Sequence, residues 1–166
     1  MRAQELIETL KLKPHPEGGW YKEIFRSAER VAPADGRPAR DALTTIYYLL
    51  QSGQHSRWHR VRSDEVWIHL EGAPLALWTA DAALRTAPAH LRLGPVDAHG
   101  TRPQHTVPAG QWQAARPIAE PGGADYALVS CTVGPGFDFD DFAFMQPEGE
   151  EAALLRHHWP ELAKLI

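Results

Sequence analysis

Along most of the chain, apolar and polar residues alternate or gather in short blocks, and the blocks end at Gly or Pro. Alternation with period two marks strands, whereas a helix repeats its apolar face every three to four residues. Helical spacing is confined to the ends. Leu6, Ile7 and Leu10 predict an amphipathic helix over about 3–11, stopped by Pro14, Pro16, Gly18 and Gly19. Glu148–His157 is helical by composition, and Pro160–Leu165 adds a last turn with Pro at its start. Between them the pattern predicts strands at Trp20–Arg26, Leu43–Gln51, Pro74–Thr79, His90–Leu93, Gln111–Arg116 and Tyr126–Val133. Leu43–Gln51 is β-branched and aromatic throughout, as in a strand buried on both faces. Val31–Asp41, rich in Pro, Ala and Arg, reads as a mobile loop. Val107–Gly110 reads as a turn in which Gly110 is free to take positive φ. Gly134–Phe142 alternates acids with Phe and reads as an edge segment covering the barrel or a dimer contact. Strands between Gly/Pro turns, with helices only at the ends, give an all-β sandwich or barrel. Periodicity leaves jelly roll, lipocalin-like barrel and immunoglobulin-like sandwich open.

The most informative stretch is Gly53–Gly72, GQHSRWHRVRSDEVWIHLEG. Arg57–Arg62 and Glu65–Leu70 are short strand candidates, and Ser63-Asp64 between them predicts a hairpin. Period two puts Arg57, His59 and Val61 on one face and Glu65, Trp67 and His69 on one face of the next run. If both faces point inward, acids, bases and an indole converge in one cavity. The competing reading is a solvated hairpin face.

Composition narrows the function classes. The chain has 166 residues, 43% apolar and 23% charged, with net charge -4, which suits one soluble domain over 1–166. Its arginines are scattered and form no basic stripe, so nucleic acid is an unsuitable partner. The single cysteine, Cys131, excludes an internal disulfide framework and fits a reducing compartment. No apolar run reaches the length of a signal or membrane segment, so the expected location is cytoplasmic, with no membrane partner. Cys131, among apolar neighbours, reads as an inert buried thiol.

The spacing Gly53-x5-His59-x-Val61-x3-Glu65-x6-Gly72 resembles the first motif of the cupins, G-x5-H-x-H-x3-E-x6-G, with Val61 in the second His position. Pro108-x-Gly110 resembles the core of their second motif, with Gln113 in the His position. The blocks Pro14–Arg26, Thr44–Leu50, Ser63–Trp67, Val107–Ala115 and Cys131–Phe142 together resemble the cupin subgroup DUF985, or Cupin_5. The resemblance implies a cupin jelly-roll β-barrel (a double-stranded β-helix) over about 18–145, flanked by helices at about 3–11 and 148–165. It also implies a homodimer. It supplies no reaction, because one fold hosts many chemistries.

In metal-containing cupins two His and a Glu of the first motif and a His of the second hold the metal. Here only His59 and Glu65 match, with Gln113 able to offer a carbonyl oxygen; a divalent metal would need three or four ligands. The expectation is therefore no cofactor. His59 and Glu65, facing each other across the hairpin, are the candidate catalytic pair, His59 as base and Glu65 as its orienting carboxylate. Trp67 would be a stacking wall, helped by Tyr48 and Trp112, with Gln113 at the ligand. Arg57 would bind phosphate or carboxylate. His69 falls roughly 13 Å along the strand from Glu65, at the barrel rim. Deoxysugar epimerases of this fold work without metal. The expected function is a small-molecule-binding cupin of epimerase or isomerase type, acting on a carbohydrate-like or nucleotide-linked ligand. Whether it is an enzyme is left open by the residues. A non-catalytic binding protein, a metal-dependent enzyme, and a His–Glu pair that merely satisfies itself remain as alternatives.

Overall fold

The structure, a computed structural model, describes every residue from Met1 to Ile166. Thirteen strands follow one N-terminal helix, α1 (Arg2–Leu10), and precede two C-terminal helices, α2 (Glu150–His158) and α3 (Pro160–Ala163). One antiparallel sheet has the order β1 (Lys13–Pro14), β2 (Trp20–Arg26), β5 (Thr44–Gln51), β12 (Tyr126–Gly134), β7 (Asp64–Gly72), β10 (Gln104–Val107). The second has the order β13 (Phe142–Phe144), β6 (Ser56–Val61), β11 (Trp112–Pro117), β8 (Leu75–Ala80), β9 (Ala89–Leu93). β3 (Arg30–Val31) and β4 (Arg40–Asp41) form a small ribbon outside both.

Strand parity sorts the core into three clusters. Tyr48, Leu50, Trp67, Leu75, Leu77, Val129 and Cys131 fill the space between the sheets. On the outer face of the second sheet, Trp58, Ala76, Trp78, Trp112 and Ala114 lie under Ala152, Leu155 and Leu165 of the C-terminal segment. On the outer face of the first, Leu49, Tyr126 and Leu128 meet Ala3, Leu6 and Ile7 of α1. β8 is therefore buried on both faces, as its sequence LALWTA, apolar but for Thr79, requires. The indoles of Trp58 and Trp112 donate to the carbonyls of Leu162 (2.9 Å) and Ala82 (3.1 Å), so their N–H groups stay paired in the core.

Two expectations are corrected. Arg57–Arg62 and Glu65–Leu70 do not form a hairpin: β6 pairs with β11 and β13, while β7 pairs with β12 and β10. At Ser63-Asp64 the chain crosses from one sheet to the other. The corner is braced by the Val107–Gly110 turn, since Asp64 accepts from the Ala109 N–H (2.9 Å) and the Gly110 N–H donates to Val61 (2.8 Å). A crossover and a hairpin share the same short polar linker, so turn chemistry alone does not separate them. Gly110 takes φ +80, as expected of that turn.

The Val31–Asp41 loop is pinned. Arg40 makes a two-point pair with Asp141 (2.8 and 2.9 Å), and Arg37 reaches the same carboxylate at 2.7 Å. Asp141 is buried, and its carboxyl is held below the usual range chiefly by the Arg40 hydrogen bond. Asp141→Asn removes the charge that both guanidiniums share. It is expected to cost about 2 kcal/mol and to lower Tm by roughly 4–8 °C. Calorimetry showing an unchanged Tm would mean that the network is solvated and adds nothing.

Candidate active site

The segment between β1 and β2, His15-Pro16-Glu17-Gly18-Gly19, folds across one end of the sandwich. Gly18 makes this path available: it has φ +113, and a Cβ there would overlap the His55 carbonyl oxygen. The Tyr48 hydroxyl donates to the Gly18 carbonyl at 2.8 Å, and the Arg57 N–H donates to the Glu17 carbonyl at 2.9 Å. The Glu17 side chain is thereby driven into the barrel, where only 6% of the residue stays exposed.

A cavity of about 280 Å³ lies beside it, lined by Glu17, His15, His59, Glu65 and Cys131 at its polar end. Val61, Ile46 and Val133 form apolar walls, and Phe137, Phe139 and Phe142 close around the mouth with Glu23, Arg26 and Asp138. Phe142 also stacks on the His59 ring, centroids 5.3 Å apart.

The hydrogen bonds around His59 decide its protonation. Nδ1 lies 2.7 Å from the Arg57 carbonyl oxygen, which can only accept, so Nδ1 carries a proton. Nε2 lies 3.2 Å from Glu17 Oε2. That contact needs one proton, shared between the imidazole and the carboxyl. Burial raises the Glu17 carboxyl and lowers the His59 imidazole, and both shifts favour the neutral arrangement, Glu17 O–H to Nε2. Ser56 donates to the other Glu17 oxygen at 3.0 Å. His15 accepts the Glu17 N–H on Nδ1 (3.2 Å), so its own proton sits on Nε2; burial holds this ring below its usual pKa as well.

Glu65 is the second buried carboxyl. Gln113 donates to its Oε2 at 2.6 Å, and the Trp67 indole donates to Gln113 Oε1 at 2.9 Å. Burial is the main cause that lifts Glu65 to about 7. A group with that pKa is present in both forms near neutrality, which suits proton transfer.

The expected site residues separate in three ways. His59 and Glu65 share the cavity, but Glu17, and not Glu65, is the carboxylate in contact with His59. Gln113, Trp67 and Tyr48 stand behind the polar end: Trp67 is 1% exposed and faces Tyr48 edge-on at 5.9 Å, so it supports Gln113 and is no stacking wall. Arg57, Trp112 and His69 lie outside the cavity. The Arg57 guanidinium lies over the Phe144 ring at 4.5 Å, Trp112 belongs to the outer-face cluster, and His69 Nε2 meets the Ala73 carbonyl at 3.1 Å. Cys131 is not wholly among apolar neighbours. Its thiol lies beside Glu65, pushed well up by burial and so protonated.

Glu17 and His15 escape a reading by periodicity because they sit in a Pro/Gly segment that resembles a breaker. The available signal was an acid and a base inside a loop otherwise stiffened by Pro, since functional groups concentrate on such loops.

The sequence profile described as "Cupin superfamily (DUF985)" matches residues 4–145. The chain belongs to the cupin superfamily. This cupin is 34% identical to a hypothetical protein from Leishmania major, with a TM-score of 0.83 over 99% of this chain and 96% of that one. It is 31% identical to protein SO0799 from Shewanella oneidensis, with a TM-score of 0.79 over 98% and 93%. Protein YML079W of Saccharomyces cerevisiae is 29% identical over 158 residues, 89% of this chain and 77% of that protein. A cupin 2 domain-containing protein from Halorhodospira halophila, 14% identical with a TM-score of 0.57, shares the fold.

The four-ligand set of metal-containing cupins does not fit these residues. Val61 is apolar, Gln113 Oε1 is committed to Trp67, both nitrogens of His59 are engaged, and no three His, Cys, Asp or Glu side chains are grouped to hold an ion. Several-fold excess Mn²⁺, Ni²⁺ or Zn²⁺ is expected to move Tm by less than about 1 °C, whereas a tight site would raise it by several degrees.

No helix is long and apolar enough to cross a membrane.

Proposed function

We propose that this cupin is a metal-independent proton-transfer enzyme of isomerase or epimerase type, acting on a small uncharged polar molecule. The observation that carries the reading is the pairing, in one cavity, of Glu65 at about 7 with a Glu17–His59 couple that holds one shared proton. Glu65 as carboxylate takes a proton from a carbon beside a carbonyl. Glu17, backed by His59, delivers its proton to the other face or to the neighbouring carbon. Both nitrogens of His59 are occupied, so it acts through Glu17 and not directly as the base.

The lining argues for an uncharged substrate. Four carboxyl residues, Glu17, Glu23, Glu65 and Asp138, line the cavity. Its one arginine, Arg26, is already bonded to Glu23, Asp41 and the Phe137 carbonyl. A phosphate would meet acids and no free cation. A volume of about 280 Å³ suits a monosaccharide-sized ligand and not a nucleotide-linked one.

The test begins with a thermal-shift panel of neutral aldoses, ketoses and lactones beside their phosphates. Stabilising members are then incubated in D₂O, and deuterium at carbon is read by mass spectrometry. Wild type is expected to exchange at least one neutral member, and Glu17→Gln to slow that exchange by about 10²-fold, because an amide at this position has no acid proton to give. A ligand that saturates the protein without exchanging makes it a binding protein. Phosphates stabilising more than neutral compounds would overturn the polarity argument.

A further inference from the structure

A groove of about 520 Å³ lies outside the barrel, on the far face of the second sheet from the cavity. Cross-strand register builds its floor. One row runs Arg116–Ala76–Arg92 across β11, β8 and β9; the next runs Ala114–Trp78–His90. Adjacent strands are about 4.8 Å apart, so two guanidiniums flank a residue too small to separate them. Like charges brought together on one face of a sheet cost stability unless an anion joins them. His55, from the turn before β6, and Lys164, after α3, complete the rim.

The cations are only partly spent. Arg92 donates to Thr101 at 3.2 Å and lies 3.4 Å from Glu120. Lys164 pairs with Glu161 at 2.7 Å. Arg116 makes no hydrogen bond or ion pair, and its guanidinium lies 5.3 Å from the Trp78 ring. The His90 ring covers Trp78 almost in parallel, centroids 5.1 Å apart at 14°, and is itself exposed, leaving its outer face open. The groove thus offers a flat ring beside a free guanidinium, over an apolar floor of Ala76, Ile118 and Leu165. Burial and the cations of Arg92 and Arg116 keep His90 below its ordinary pKa, so at neutral pH it is a neutral platform.

We propose that this groove is a second ligand site, for a mononucleotide: Arg116 and Arg92 hold the phosphates and the base stacks on His90. Unlike the acid-lined cavity, it is cationic, so the cavity selects a neutral ligand and the groove an anionic one. The inference does not depend on the barrel chemistry.

The test titrates the intact protein with AMP, ATP and inorganic pyrophosphate at physiological salt, by calorimetry and by NMR of the Trp78 indole N–H. ATP is expected to bind saturably and to shift the Trp78 signal. Arg116→Ala, at an exposed position, is expected to weaken ATP at least about tenfold, and His90→Ala to weaken ATP but not pyrophosphate. Thermal melts of both variants verify the fold. No saturable nucleotide binding at millimolar concentration, equal affinity for pyrophosphate and ATP, or ATP binding indifferent to Arg116→Ala would each overturn the assignment.

Discussion

Replacing Glu65 with Gln is expected to slow deuterium exchange into a bound substrate by about 10²–10⁴-fold while leaving its affinity within a few-fold. Gln keeps the shape and can still accept from Gln113, so the Trp67–Gln113 chain stays closed. What it loses is the ability to take a proton. The loss falls on kcat and not on KM, because the group acts on the reacting carbon and contributes little to holding the substrate. An unaltered exchange rate would remove Glu65 from the chemistry and return the assignment to Glu17 and His59. The wild-type rate should also rise with pH through about 7, as Glu65 ionises, and that limb should disappear in the variant.

The same substitution is expected to change stability in the opposite direction. Glu65 is raised from 4.5 to about 7 by burial. Between those values the native protein holds a proton that the unfolded chain has released. Stability from this group is therefore fully present below 4.5, falls as pH rises, and is gone above about 7. The difference of roughly 2.5 units corresponds to about 3 kcal/mol, or roughly 6–12 °C in Tm for a chain of this size. Glu17, also raised, slopes the same way; His59 and His15, both lowered, slope the other way, their contribution being lost as pH falls below 6.5. All three remain in Glu65→Gln, so the difference between the two proteins isolates Glu65. The variant is expected to melt above wild type at pH 8.5 and to converge with it near pH 4.5. Parallel melting curves over that range would show that Glu65 ionises without penalty. A carboxyl that weakens the fold where it works is the stability cost common at functional sites.

Several elements were legible because their signals are local. The N-terminal helix announces itself by three-to-four spacing, the C-terminal one by composition, and the both-face burial of β5 by its β-branched and aromatic run. The turn at Val107–Gly110 is written in Pro108 and Gly110. The five family blocks, in order, identified the fold that the DUF985 profile and the Leishmania and Shewanella structures show. Parity correctly put His59 and Val61 on one face of β6 and Glu65 and Trp67 on one face of β7. It also put Arg57 on that face of β6, where its guanidinium lies over Phe144 of β13, the register partner of His59, and not in the cavity. It could not show that Trp112 faces the C-terminal segment, since nothing in WQAARP marks the outer side as covered.

By itself, then, the sequence determined the strand pattern, the cupin family and the arrival of His59 and Glu65 at one cavity, because alternation and motif spacing act over a few residues. Only the tertiary structure decided how those groups are wired. The crossover at Ser63-Asp64 puts His59 and Glu65 on different sheets, so they are not hairpin neighbours. The fold of His15–Gly19 over the barrel end then gives His59 its proton-sharing partner, forty-two positions earlier in the chain. Gln113, from a third strand, takes Glu65 for itself. Which acid meets which base depends on contacts between segments far apart in the chain, and no local pattern encodes that distance.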